Sequence, residues 1–380
     1  MWIERLALTD FRNHASLTLR LGARPVVLAG PNGAGKTNVL EAVSLLSAGQ
    51  GLRRAAYPEL ARKHGAGGWA VACTLRTATG GLDIGTGLAP GASSDRTGRI
   101  VRINGEPQSG SGVLAEHIEM VWLTPSMDGL FTGAASERRR FLDRLVMCFD
   151  PAHGPRSGQF ERAMRQRNKL LSDGVSDDAQ FAGLEDVMAA MAVAIAAARV
   201  EALAGLAAQI ELRRARDPNS PFPWATLALD GALEGALGAG LAAVDVEDGY
   251  IDTLARTRER DRAAGRTLDG PHRSDLIVGH GPKSMPAHAS STGEQKALLI
   301  GLVLAHARLI AEARDGAAPI LLLDEIAAHL DERRRSALFT EILALGSQAW
   351  MTGTDRAAFA SISNDAQFLV VEEGRIAAAA

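Results

Sequence analysis

The chain has 380 residues, 46% of them hydrophobic and 22% charged, with a formal net charge of −3. That length accommodates two domains, or one large α/β domain carrying an insertion. Two distant cysteines, Cys73 and Cys148, exclude a disulfide scaffold and fit a reducing compartment, and the slight acidity excludes a whole-molecule basic field for nucleic acid.

The first ten residues mix charges with apolar positions and lack an apolar run of signal-peptide length, so a cytoplasmic location is expected. Ile3, Leu6 and Leu8, then Leu17, Leu19 and Leu21, alternate around a polar turn at residues 11–15, predicting two strands. The apolar run Val26, Val27, Leu28 and Ala29 predicts a buried strand, and Gly30-Pro-Asn-Gly-Ala-Gly-Lys-Thr37 follows it. Glycines let backbone N–H groups turn inward around phosphate, and a helix starting near Lys36 points its positive end at the same place. This is a P-loop, expected to bind nucleotide through Gly30, Pro31, Asn32, Gly33, Ala34, Gly35, Lys36, Thr37 and Asn38. Lys36 is expected to reach the β- and γ-phosphates and the Thr37 hydroxyl to hold Mg²⁺. Val39, Leu40, Val43 and Leu46 bury one face of the helix.

Short apolar runs across residues 65–103 predict antiparallel strands, with a loose loop near residues 89–98. From about residue 115 the pattern becomes helical: Phe160, Ala163, Met164, Leu170 and Leu171 share one face, as do Leu184, Val187, Met188, Met191 and Ile195. The alanine-rich stretch 188–210 has membrane-span length, but Arg199 and Glu201 interrupt it, so a soluble helix is expected. Asp217-Pro-Asn-Ser-Pro-Phe-Pro223 must be a loop. Strand-like sequence returns at residues 275–278. Arginine clumps at 138–140, 162–169, 256–262 and 333–335 have acidic neighbours and are expected to be solvated helix faces.

Ser290-Ser-Thr-Gly-Glu-Gln-Lys296 precedes a long apolar helix over residues 294–312. Its local pattern is a capping box of Ser291 and Glu294, and a serine and glycine there also offer a hydroxyl and free N–H groups to an anion. Pro319-Ile-Leu-Leu-Leu-Asp324-Glu325 is a buried strand delivering two carboxylates. Asp324 is placed to bind the Mg²⁺ shell and Glu325 to polarise the attacking water, as a catalytic base. The expected fold is α/β: an ATPase head with a mixed sheet and flanking helices, in residues 1–115 and 270–380, around a mainly helical inserted domain over 116–269.

The order of P-loop, Ser-x-Gly-Glu helix, strand-Asp-Glu and then Leu330-Asp331 resembles ABC-type ATPases. Leu8-Thr-Asp-Phe-Arg-Asn-His14 looks like the opening motif of their SMC-like branch. Ser136-Glu-Arg-Arg-Arg-Phe-Leu-Asp143, Arg165-Gln-Arg-Asn168 and Gly270-Pro-His-Arg-Ser-Asp-Leu276 are similar to the RecF family of bacterial recombination-mediator ATPases. Only 288 positions separate Lys36 from Asp324, too few for the coiled-coil arms of SMC proteins.

The resemblance implies a weak ATPase, with ATP and Mg²⁺, that forms an ATP-dependent homodimer on gapped or junction DNA and acts with recombination-mediator proteins and no membrane. It implies that Ser291 and Gly293 of one subunit cap the γ-phosphate held by Lys36 of the other, that Asp331 lies at the dimer seam, and that Arg12 contacts nucleotide. Thr352 and Thr354, in Met351-Thr-Gly-Thr-Asp355, are the candidates for a γ-phosphate switch. The chain departs from the family pattern with Glu294 in place of Gln and with Gly353 between the two threonines. A small-molecule P-loop kinase and an ABC transporter ATPase subunit share parts of the pattern and stay open at this point.

Overall fold

The structure, a computed structural model, describes residues 1–78, 80–91, 98–327, 330–372 and 374–378. Strands β1 (Trp2–Phe11) and β2 (His14–Arg20) form the expected hairpin, β3 (Val26–Ala29) leads into the P-loop, and α1 (Lys36–Ser44) follows it. Then come β4 (Trp69–Thr77), β5 (Gly80–Leu88), β6 (Ile100–Ile103), β7 (Glu106–Pro107) and β8 (Met120–Leu123). The loose loop expected near 89–98 lies largely outside the described residues. Strand β8 sits inside the stretch expected to be helical. Its four residues, Met-Val-Trp-Leu, are all buried, as a strand of a parallel sheet covered on both faces requires, even though it pairs with β12 alone.

Helices α2 (Ala135–Val146), α3 (His153–Ser172) and α4 (Asp178–Arg216) come next, followed by β9 (Ala225–Asp230), α5 (Ala232–Gly238), α6 (Ala243–Arg256), α7 (Arg258–Ala264), β10 (Asp275–His280) and β11 (Met285–Pro286). The chain closes with α8 (Thr292–Ala313), β12 (Ile320–Leu323), α9 (Glu332–Leu345), β13 (Ala349–Gly353), β14 (Gln367–Glu372) and β15 (Arg375–Ala378).

Two compact units result. The first holds residues 1–128, 217–222 and 299–380; the second holds 129–216 and 223–298. The first unit contains two six-stranded sheets, ordered β2-β1-β4-β5-β6-β7 and β15-β14-β3-β13-β12-β8. In the latter, β14, β3, β13, β12 and β8 run parallel. The strand-ends that carry functional loops therefore all face one edge, where α/β sheets bind ligands. Arg99, buried in this unit, closes the far end of α1. Its guanidinium donates to the carbonyls of Leu45, the cap of α1, and of Ser47 (2.6 Å) and Gly49 (3.3 Å) in the loop beyond, satisfying an acceptor that the helix end leaves open.

The second unit packs α3, α4 and α6 around Phe160, Met188, Ala192, Ile195, Ala196 and Leu254. Residues 270–298, grouped by the sequence reading with the closing ATPase segment, lie in this unit because β10 pairs antiparallel with β9. Helix α4 is long and apolar enough to cross a membrane by length and composition. It is instead packed along one side, and Arg199 is buried within it, held by Asp143 (2.8 Å), Glu234 (2.8 Å) and the Pro271 carbonyl (2.7 Å).

The expectation of solvated arginine faces fails at Arg167, which is fully buried. It donates to Glu185 (2.9 Å), Asp261 (2.8 Å), the Thr267 hydroxyl (2.9 Å) and the Leu254 carbonyl (2.7 Å), the kind of full pairing that burying a charge requires. Arg167→Ala takes the buried guanidinium away from Asp261 and Glu185, leaving Asp261 with Arg260 at 3.5 Å and Glu185 with Arg258 alone among the described residues. A loss of about 3–5 kcal/mol is expected, read as a lower chemical-denaturation midpoint.

Candidate nucleotide site

Two glycines with left-handed backbone, Gly33 (φ 82°) and Gly35 (φ 109°), turn the chain from β3 into α1, a conformation that a side chain rarely adopts. Gly30 has no room for a side chain, because a Cβ there would run into the Val371 carbonyl of β14. The Lys36 ammonium folds back on its own loop, donating to the carbonyls of Gly30 (2.7 Å) and Pro31 (2.9 Å). Burial lowers its pKa, while the charges of Glu325 and Asp324 oppose that shift.

Strand β12 ends beside this loop. Asp324 Oδ1 accepts the Thr37 hydroxyl (3.0 Å) and the Thr352 hydroxyl (2.7 Å). Glu325 follows with φ 50°, a left-handed conformation that costs a non-glycine residue roughly 1–3 kcal/mol, and its amide donates to Thr352 Oγ1 (2.7 Å). The Thr37 hydroxyl and the Asp324 carboxylate are hard oxygen donors within hydrogen-bond reach of each other, a set that fits Mg²⁺. Two protein oxygens suit an ion that keeps most of its other ligands from water and phosphate.

Arg12 lies in the β1–β2 turn with φ 54°. It donates twice to Glu41 of α1 (2.8 and 2.7 Å) and once to the Glu59 carbonyl (3.0 Å). Glu41 is 2% exposed and also meets Arg53 at 3.4 Å. Its partner lies 29 positions away, so no local pattern marks the pair. Asn13 was also missed as a contributor. Its amide donates to the Ala34 carbonyl (3.2 Å) and its Oδ1 accepts from Asn38 (2.8 Å). The Gly374 amide reaches the same Ala34 carbonyl (3.2 Å), and the Gly374 carbonyl meets His14 Nδ1 (2.8 Å). The P-loop is thus braced by the β1–β2 turn and by the β14–β15 turn.

Of the two threonines proposed as a switch, Thr352 is fully buried and Thr354 is exposed. Gly353 has a packing reason: a Cβ there would come within 2.5 Å of the Phe359 ring. Asp331 caps α9, accepting from the Arg334 amide (2.8 Å). Arg334 and Arg333 also donate to the carbonyls of Pro221 (3.2 Å) and Asn219 (3.1 Å).

In the second unit, Ser291 is exposed at the start of α8. Its amide (3.1 Å) and hydroxyl (3.0 Å) both donate to Glu294 Oε2, and Lys283 reaches Oε1 at 2.6 Å. The Lys283 and Ser291 bonds hold the Glu294 carboxyl down at about 2. The negative charge that Glu294 brings is therefore already paired. A Cβ built on Gly293 meets nothing within 4 Å, leaving the first turn open to an approaching group.

A P-loop, a strand ending in Asp-Glu and a capped Ser-x-Gly helix on this α/β frame define an ABC-type P-loop ATPase head. The RecF/RecN/SMC N terminal domain model matches residues 2–375. The DNA replication and repair protein RecF of Rhizobium etli (strain CIAT 652) is 55% identical over 374 residues, 98% of each chain. That of Brucella suis biovar 1 (strain 1330) is 56% identical over 375 residues, 98% of this chain and 95% of its own. The chain belongs to the RecF family of DNA replication and repair proteins. Its fold is also that of the recombination mediator protein RecF-ATPrS of the RecFOR pathway, with a TM-score of 0.84 at 20% identity over 100% of this chain and 98% of that one. The Smc head domain of Pyrococcus furiosus is more distant, with a TM-score of 0.55 at 16% identity over 100% of this chain and 96% of that one.

The Glu294 bonds give a pH prediction. A depressed carboxyl contributes stability that is full above its ordinary value of 4.5 and lost as pH falls through about 2. In a carboxyl ¹³C titration, Glu294 is expected to titrate near 2 in the wild type and to move up toward 4.5 in Lys283→Ala.

Proposed function

We propose that the protein is an ATP-driven DNA clamp of recombinational repair. Two copies sandwich ATP, close on the backbone of gapped or junction DNA, help load a recombinase together with recombination-mediator proteins, and separate after slow hydrolysis. The observation that carries this reading is the Asp324 carboxylate, which takes the P-loop's Thr37 hydroxyl while Glu325 follows directly behind it. Family membership supports the setting in DNA repair, and the head fold supports the two-copy arrangement.

In this reading Lys36 exchanges the carbonyls of Gly30 and Pro31 for the β- and γ-phosphates, while the loop amides at Gly33, Gly35, Lys36 and Thr37 turn toward the phosphate chain. Thr37 and Asp324 hold Mg²⁺, which offsets the charge on the phosphates. Glu325 accepts a proton from the water that attacks the γ-phosphorus, the bond to the bridging oxygen breaks, and ADP and phosphate leave. Arg12, steadied by Glu41, faces the nucleotide. Ser291 and Gly293 of the second copy cap the γ-phosphate, with Asp331 at the seam and Thr354 as the exposed switch residue. Each nucleotide then makes charge-assisted bonds to both copies, so loss of the γ-phosphate loosens the pair.

DNA binding is expected to be local. The formal net charge is −3, and many clumped arginines are engaged within their own unit, Arg138 with Asp275 and Arg258 with Glu185 among them. Contact through phosphates gives weak sequence preference and strong salt dependence.

Sedimentation with a non-cleavable ATP analogue tests the sandwich. Wild type and Glu325→Gln are expected to dimerise, with Glu325→Gln staying dimeric in ATP itself, while Lys36→Ala and Ser291→Arg stay monomeric. Dimerisation of Ser291→Arg at wild-type affinity refutes the assignment of the cap. With gapped duplex present, the affinity of the dimer is expected to fall steeply as salt rises from 50 to 200 mM, by about 10³-fold or more if six or more phosphates are contacted. A flat salt response rules out backbone contact as the basis of binding.

A further inference from the structure

We propose that Thr352 is the positioning residue for both catalytic carboxylates and takes no part in sensing the γ-phosphate. The inference rests on the ATPase reading above and goes beyond it by giving this threonine a different role.

The protons decide the geometry. A carboxylate such as Asp324 accepts, and the Glu325 amide donates. The Thr352 hydroxyl has one proton, so it gives that proton to Asp324 Oδ1 at 2.7 Å and receives the Glu325 N–H at 2.7 Å. Both bonds are thereby fixed in direction, and neither leaves the hydroxyl a proton for a phosphate oxygen. The side chain is also fully buried. The sheet explains how it arrives there: Leu323 of β12 stands opposite Met351 of β13, and one residue further along each strand brings Asp324 to Thr352.

The consequence falls on Glu325. Its left-handed backbone (φ 50°) is uphill for a side-chain-bearing residue, and a strained conformation persists only where its surroundings over-determine it. The Thr352 oxygen holds the Glu325 amide, so it fixes where the glutamate side chain starts. The other Thr352 bond sets the rotamer of Asp324, which in turn receives Thr37 of the P-loop (3.0 Å). One hydroxyl therefore ties the water-activating residue to the ion-holding pair.

The test is Thr352→Val, which keeps the shape of the side chain and deletes the hydroxyl, with Thr352→Ser as the conservative control. The readouts are single-turnover ATP cleavage and, separately, equilibrium affinities for a fluorescent ATP analogue and for its ADP counterpart. Cleavage is expected to fall on the order of 10- to 100-fold in Thr352→Val, the size of effect that misplacing a reacting group by about 1 Å produces. The ATP-to-ADP affinity ratio is expected to stay within about 3-fold of wild type, and Thr352→Ser to recover most of the cleavage rate. If Thr352→Val collapses the ATP-to-ADP ratio, the hydroxyl meets the γ-phosphate and the inference is wrong. If it cleaves at the wild-type rate, the bridge does no positioning and the inference is equally wrong. Should the valine variant fail to fold, Thr352→Ser carries the test alone: a serine that folds but cleaves as slowly as Glu325→Gln overturns it. Glu325→Gln run in parallel separates the two levels. If that variant also cleaves normally, it is the underlying ATPase reading that has failed.

Discussion

One carboxylate oxygen, Asp324 Oδ1, receives hydroxyls from both Thr37 and Thr352, and the nucleotide site depends on that convergence. It joins the first turn of α1 to the ends of β12 and β13. The parallel order β3-β13-β12 is what makes the convergence possible, because it sets the P-loop strand one strand away from the Asp-Glu strand with Thr352 on the strand between. Val26, Leu28, Ile320, Leu322 and Trp350 are all buried in the same core cluster, so apolar packing holds the three strands together. The polar bonds then select side-chain directions, work that burial alone cannot do.

Two arginines serve as internal mortar in the second unit. Arg167 and Arg199 each satisfy several acceptors from different elements, and the planar fork of five donors suits that role better than a lysine ammonium. Burying such ion networks adds little net stability compared with an apolar core. It does fix which helices meet, because a misaligned packing leaves charges unpaired. In the first unit Arg12, Arg99 and Arg53 play a related part around α1. Of these, only Arg12 belongs to a recognisable motif.

What the sequence made legible divides along physical lines. Chemistry carried by neighbouring residues was readable: the glycine spacing of the P-loop, the apolar strand ending in Asp324-Glu325, and the Ser291–Glu294 capping box, of which the structure keeps the bond from the Ser291 amide to the Glu294 carboxylate while the Ser291 hydroxyl donates to that same carboxylate. Chemistry assembled across the sheet was not. Glu41 was invisible because it lies on α1 and its partner Arg12 in the β1–β2 turn 29 positions away, and the role of Gly374 because it reaches Ala34 only through the sheet order. Strand β8 was hidden by its brevity, four apolar residues in a stretch of helical pattern, where length and periodicity cannot separate a buried strand from a helix. Arg167 was read as a surface charge because periodicity assigns charges to solvent, and only the acceptors brought by α4, α6 and α7 make its burial tolerable.

The contact between Gly353 and the Phe359 ring reaches beyond geometry. The bare backbone at that position and the bulk of the aromatic six residues later share one space. A lineage that enlarged one without trimming the other would pass through a poorly packed ancestor. A side chain between the two threonines is therefore barred for as long as the ring keeps its place.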